Sequence, residues 1–350
     1  MLAMFLAAHR SPSRWGSLVL VAALLVGSGC DTLSGDDSSD DQSLYPVQLE
    51  ERWGYINSNG RITLTPSFDN ARDFHEDRAA VQQQGVWGYI DRWGQAVVEP
   101  QYQVAGPFSE NRAYVRAPGL EGQYGFVDRS GDLAIDTQYE LAQSFSEGLA
   151  AVRIDSRWGF IDRRGTLVIE PRYSDVRPFS EGLAAVEALD GWVYIDAGGT
   201  VVIDPAFTID AAGSFEEGLA PFSTTEGWGY FDVDGNVAIP PQFDDASSFS
   251  EGLAVVRLDE RYTYIDPSGS QEIQATFADA RPFSEGLAAV SVRSDWVYIE
   301  RASGTLRSTR EFEQAETYQD GLARVYVGED EDRKLGYIDR DGAYVWYPAR

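Results

Sequence analysis

The sequence predicts an all-β protein, a tandem array of nine three-stranded β-meander repeats packed like a β-propeller, with an open β-superhelix as the alternative. Three observations carry this. An aromatic-Gly-aromatic core recurs nine times, as Trp53-Gly54-Tyr55, Trp87-Gly88-Tyr89, Tyr124-Gly125-Phe126, Trp158-Gly159-Phe160, Trp192-Val193-Tyr194, Trp228-Gly229-Tyr230, Tyr262-Thr263-Tyr264, Trp296-Val297-Tyr298 and Leu335-Gly336-Tyr337, at spacings of 34 to 39 residues. A turn glycine follows each copy, from Gly60 and Gly94 to Gly304 and Gly342. The strands themselves are apolar on both faces.

The unit Phe145–Tyr173 shows how each element is specified. Leu149–Arg153 reads as a first strand, Trp158–Asp162 as a second and Thr166–Glu170 as a third. Asp162-Arg163-Arg164-Gly165 is hairpin punctuation: the Asp can hydrogen-bond its own backbone, and the Gly supplies φ > 0. Pro171 lacks an N–H and is expected to end the third strand. A Phe-Ser-Glu-Gly corner precedes the first strand, and recurs in variant form at Phe74, Phe108, Phe145, Phe179, Phe215, Phe249, Phe283 and Tyr318. Gly148 in that corner is expected to be left-handed, with Asp77 and Asn111 as its counterparts in the earlier copies.

Side chains alternate along a strand, so Trp158 and Phe160 share one face while Ile161 lies on the other. A sheet with one wet face would alternate apolar with polar. Each small sheet must therefore be covered front and back by its neighbours, either around an axis or along a superhelix. The small residues of Gly148-Leu149-Ala150-Ala151-Val152 suit a crowded axis. Against a ring, the array begins and ends on whole meanders, with no split unit to latch it.

The recurring Trp-Gly pair within a whole matching unit resembles the WG-repeat proteins, a bacterial family, over roughly residues 44–348. Val193, Thr263, Val297 and Leu335 depart from the pattern. The resemblance implies a non-catalytic binding scaffold or a structural, adhesive module, and it brings no catalytic residues with it.

Residues 1–29 read as a signal peptide: Arg10 and Arg14 precede an apolar run, Leu18–Val26, that is too short to span a bilayer. Gly27-Ser28-Gly29-Cys30 resembles a bacterial lipobox, which implies lipidation of Cys30, a membrane anchor, and a repeat domain held in the cell envelope outside the cytoplasm. Residues 30–43 are rich in Asp and Ser with little to bury, and are expected to form a disordered acidic tether. Fully extended, it reaches about 45 Å.

Composition narrows the function. The chain holds 28 basic and 56 acidic residues, a net charge of −28. Such a surface repels nucleic acid. Cys30 is the single cysteine, and the two histidines are His9 and His75. Beyond the signal, zinc sites and Cys–His or Ser–His nucleophiles have no raw material, and no cofactor or metal is expected. Paired carboxylates could run a glycosidase-type reaction, but acids repeated in every turn read as structural. Asp232-Val233-Asp234-Gly235-Asn236 imitates part of a calcium loop without its bidentate Glu, and reads as a β-turn. The candidate binding residues are Trp93 and Trp346, the tryptophans beyond the signal that lie outside the repeat position, and a rim of corner carboxylates, Glu147, Glu181, Glu217, Glu251 and Glu285. The ligand is expected to be a protein or a glycan.

Overall fold

A computed structural model of the chain describes residues 43–119, 123–307, 310–328 and 333–347. The predicted signal, Cys30 and the tether up to residue 42 lie outside the described residues. Nine small antiparallel sheets follow one another along the chain and form the blades of a nine-bladed β-propeller.

Blade 4 is representative. Its predicted strands appear as Leu149–Ile154, Arg157–Asp162 and Leu167–Tyr173, and a short fourth strand, Leu141–Ala142, pairs with the first. This short strand was not legible, because two residues carry no periodicity. A cavity that reaches across three successive blades is lined by the segments that follow their short strands, Pro107, Ser144 and Pro178 among them. That edge of each blade therefore faces the ring axis, and the Leu167–Tyr173 strand is outermost.

The outermost strand explains the Trp-Gly pair. Trp158 pairs with Tyr173 while Phe160 pairs with Ile169, so the single residue Gly159 between them faces three residues of the outer strand. The resulting bulge lies directly over Gly159, where a Cβ would sit 2.4 Å from the Ile169 carbonyl oxygen. Only glycine leaves room. Pro171 does not end the strand as predicted; it sits in the bulge, where no ladder N–H is needed. Blades 5 and 8 carry Val193 and Val297 instead of Gly, and there the outer strand shrinks to Val201–Ile203 or to two isolated bridges. Blade 7 keeps its outer strand, because the Thr263 hydroxyl donates to the carbonyls of Ile273 and Ala275 at 2.9 and 3.1 Å.

Hydrophobic clusters lie between blades. Trp158, Phe160 and Ile169 of blade 4 pack on Val176, Phe179, Ala184 and Val186 of blade 5. The ninth such cluster joins the ends of the array: Tyr45, Val47 and Ile56 of blade 1 bury against Leu322 and Tyr337 of blade 9. The ring closes face to face, with no strand exchanged.

This closing interface is improvised from side chains. At every other interface a middle-strand aromatic meets the next blade's corner aromatic edge-on or tilted, as Phe160 meets Phe179 at 4.9 Å. Blade 1 has no such corner among the described residues. Tyr45, at a position that is Ala in the other eight units, presents its ring to Tyr337 at 5.5 Å instead. The Tyr337 hydroxyl donates to the Pro46 carbonyl at 2.9 Å, and Arg324 of blade 9 reaches past blade 1 to Asp73 of blade 2 at 2.6 Å.

Candidate functional site

The Phe-Ser-Glu-Gly corners form one rim of the ring, and each corner is a two-residue hairpin. Ser146 and Leu149 exchange both backbone hydrogen bonds, at 2.9 and 3.1 Å, and Glu147 and Gly148 sit at φ of 52° and 84°. This is the type I′ turn, whose twist matches the flanking strands. Gly148, Asp77 and Asn111 are left-handed as predicted. The left-handed Glu was not foreseen, and that conformation costs a non-glycine residue about 1–2 kcal/mol.

The neighbouring blade supplies the compensation. The Gly182 N–H donates to the Glu147 carboxylate at 2.9 Å, and the Ser146 hydroxyl donates to the Phe179 carbonyl at 2.7 Å. The same glutamate contact recurs from Glu181 to Gly218, Glu217 to Gly252, Glu251 to Gly286 and Glu285 to Gly321, at 2.8 to 3.1 Å. A hydrogen bond to a charged acceptor is worth about 1.5–3 kcal/mol, enough to offset the turn. The five predicted glutamates thus clasp one blade to the next along this rim, and Glu76 and Glu110 do the same for the N–H groups of Asn111 and Gly148.

Trp93 and Trp346 have different surroundings. Trp93 tips the blade 2 turn and is 77% exposed, while its backbone N–H is held by Asp91. Trp346 occupies the position of Ile169 and packs half-buried in the closing interface, paired in register with Tyr337. Trp93 is therefore the predicted aromatic that a partner could reach. Asp232 accepts from the N–H groups of Asp234 and Asn236 at 3.1 and 2.8 Å, the geometry of a β-turn. No group of ligands able to hold a metal occurs among the described residues.

A feature of the axis-facing edge was missed. Arg72, Arg177 and Arg281 stack on Trp87, Trp192 and Trp296 at 4.7, 4.8 and 5.1 Å, in blades 2, 5 and 8. The guanidinium-on-indole pair occupies every third blade. The signal was an Arg two residues before the corner Phe, in only three units.

Titration brackets the ring's stability. Hydrogen bonds from Ser130, Asn236 and Ser268 hold Asp128, Asp232 and Asp266 below the usual carboxylate range. Burial pushes the phenols of Tyr89, Tyr194, Tyr230, Tyr264 and Tyr298 far above theirs. Each of these hydroxyls donates to a carbonyl of the next blade, as Tyr89 does to Gly106 at 2.7 Å. A lowered Asp gives stability that is present above its unfolded pKa and lost as pH falls through the folded one. A raised Tyr gives stability that is present below its unfolded pKa of about 10 and lost as pH rises. Denaturant midpoints should therefore be flat between about pH 5 and 9 and fall on both sides. Tyrosinate absorbance should appear together with unfolding; smooth titration near pH 10 in the folded state would contradict the burial of these phenols.

Comparison with known proteins agrees with the geometry. The model of the WG containing repeat matches residues 53–87, 87–117, 124–158, 158–192, 192–225, 228–262 and 262–296. No curated protein matches the chain. Among solved structures, a eukaryotic initiation factor is similar over 86% of this chain and 94% of its own, with TM-score 0.64 and 14% identity, a likeness of fold alone. Hsv2 of Kluyveromyces lactis aligns over 76% of this chain and 96% of its own, at TM-score 0.42 and 10% identity. PorZ, a bacterial surface component of the type-IX secretion system of Porphyromonas gingivalis, aligns over 71% of this chain and 38% of its own, at TM-score 0.38 and 11% identity. With the repeat model covering most of the ring, and with the Trp-Gly pair explained by the bulge it accommodates, the chain belongs to the WG containing repeat family.

Proposed function

We propose that this protein is an envelope lipoprotein, anchored through a lipid on Cys30, whose ring is a non-catalytic scaffold that binds a protein or a glycan. The repeat propeller is an architecture of binding and scaffold modules, and the observation that supports this reading best is how the recurring polar groups are used. The corner glutamates and serines join blades, and the turn aspartates cap their own hairpins. What differs from unit to unit is left for recognition, and Trp93, exposed on a turn tip, is its plainest example. The lipobox-like Gly27-Ser28-Gly29-Cys30 and the acidic residues that follow support a tethered ring on the outer side of the cytoplasmic membrane.

Fractionation of cells producing the wild-type and Cys30→Ser proteins tests the anchor. The wild type should sediment with membranes and the variant should move to the soluble fraction; a variant that stays on the membrane contradicts lipidation. Crosslinking of the anchored wild type in intact envelopes should capture a discrete partner, and Trp93→Ala should weaken that capture.

A further inference from the structure

A cavity of about 320 Å³ opens beside blades 1 and 2. Four blades contribute to its wall: Pro46 and Trp53 from blade 1, Arg72, Asp73, His75 and Arg78 from blade 2, Pro107 from blade 3, and Arg324 from blade 9. In a chain with twice as many acids as bases, this wall is basic. Asp73 is the acid on it, and Arg324 already occupies that carboxylate. Arg72 stacks on Trp87 and donates to the Ala105 carbonyl at 2.9 Å. Arg78 donates only to backbone carbonyls, those of Asp77 and Arg129. Neither guanidinium meets a carboxylate among the described residues.

Departures from the repeat converge on this cavity. Arg78 stands where units 4 to 9 have Leu, and His75 stands where most corners have Ser. The histidine removes one half of the clasp: Ser109, Ser146, Ser180, Ser250 and Ser284 each bond the next corner's carbonyl, and among the described residues His75 makes no such bond, while Glu76 still accepts from the Asn111 N–H at 2.8 Å. Unit 3 also has Arg at the Arg78 position, Arg112, but that residue lies outside the cavity. Half-buried Trp53 and buried Pro46 add an apolar wall beside the cations. The volume is at the small end of ligand sites, where a few placed polar groups set specificity.

We infer that this cavity binds an anionic monosaccharide, its carboxylate held by Arg72 and Arg78 and its ring lying against Trp53. Guanidinium groups grip carboxylates through paired N–H donors, and here the only competitors are carbonyl oxygens. The inference rests on the scaffold reading and names its ligand class.

Calorimetric titration of the whole ring with glucuronate, glucose and inorganic phosphate tests it. The chosen variants import residues the fold already uses at the same position: Arg78→Leu, and as a control Arg112→Leu, the same change one blade further on and outside the cavity. Glucuronate should bind with one-to-one saturation, glucose at least about tenfold more weakly, and Arg78→Leu should lose at least about tenfold in affinity while Arg112→Leu keeps it. Equal affinity for glucose and glucuronate, phosphate bound more tightly than glucuronate, or equal losses in the two variants would overturn the assignment. If the cavity fails while the anchored protein still captures an envelope partner, the scaffold reading stands and this site does not; loss of both removes the two together.

Discussion

Replacing Gly159 by Val should strip the outer strand from blade 4 and lower the stability of the ring by roughly 3 kcal/mol, as overpacking against rigid structure does. The obstruction is backbone: the new Cβ would lie 2.4 Å from the Ile169 carbonyl oxygen and 2.8 Å from the Pro171 nitrogen. Neither atom can rotate aside, so the bulge has to lift. Nature has already run the comparison within this chain, because blades 5 and 8 carry Val at the same position and have only remnants of the strand. Urea midpoints give the loss, and hydrogen exchange at Leu167–Tyr173 locates it. Thr263→Val in blade 7 should act the same way more mildly, by removing a hydroxyl that bonds two outer-strand carbonyls. Unchanged protection of 167–173 in Gly159→Val would show that the glycine has another purpose.

Tyr45→Ala should cost about 3–5 kcal/mol, the usual loss when a buried aromatic is truncated. It is an unusual substitution, since it installs the residue the eight other units have. Elsewhere the small Ala leaves room for a corner Phe, as Ala150 does beside Phe145. Among the described residues blade 1 has no such Phe, so truncation leaves a void between the first and last blades. The Tyr45 hydroxyl also donates to the Asp320 carbonyl across the same interface. Exchange should quicken at Leu44–Asn57 and Lys334–Asp339 and stay slow at blades 4 to 6. A uniform loss of protection around the ring would mean that its stability is not carried interface by interface.

Much of the architecture was legible because it repeats. Trp158, Phe160 and Ile161 made both faces of the sheet apolar, and that alone required neighbours on each side. Closure was harder to see. It was sought as a split blade, whereas it lies in single substitutions: Tyr45 for Ala, Trp346 for Ile, and Arg324 for a small residue. Each is visible in the sequence only after the repeats are aligned and the two ends are known to meet. The short inner strands escaped because two residues show no period, and Pro171 misled because a proline that ends an ordinary strand is at ease in a bulge. The corner glutamates were recognised as a row, but their bonds run to glycines about 35 residues away, and no local pattern shows that. Arg78 and His75 are plain departures from the repeat; that they share a cavity with Arg324 depends on the ring being closed.

Spin labels on Asn59→Cys and Asp341→Cys, in a Cys30→Ser background, test closure most directly by pulsed dipolar distance measurement. These residues tip the equivalent turns of blades 1 and 9, and Asp234→Cys with Ser268→Cys gives the reference spacing for adjacent blades 6 and 7. A closed ring predicts the same separation for both pairs within a few ångströms, at about the width of one blade-to-blade step. A first-to-last distance several blades long would contradict it, and the basic cavity between blades 9, 1 and 2 would disappear with the ring.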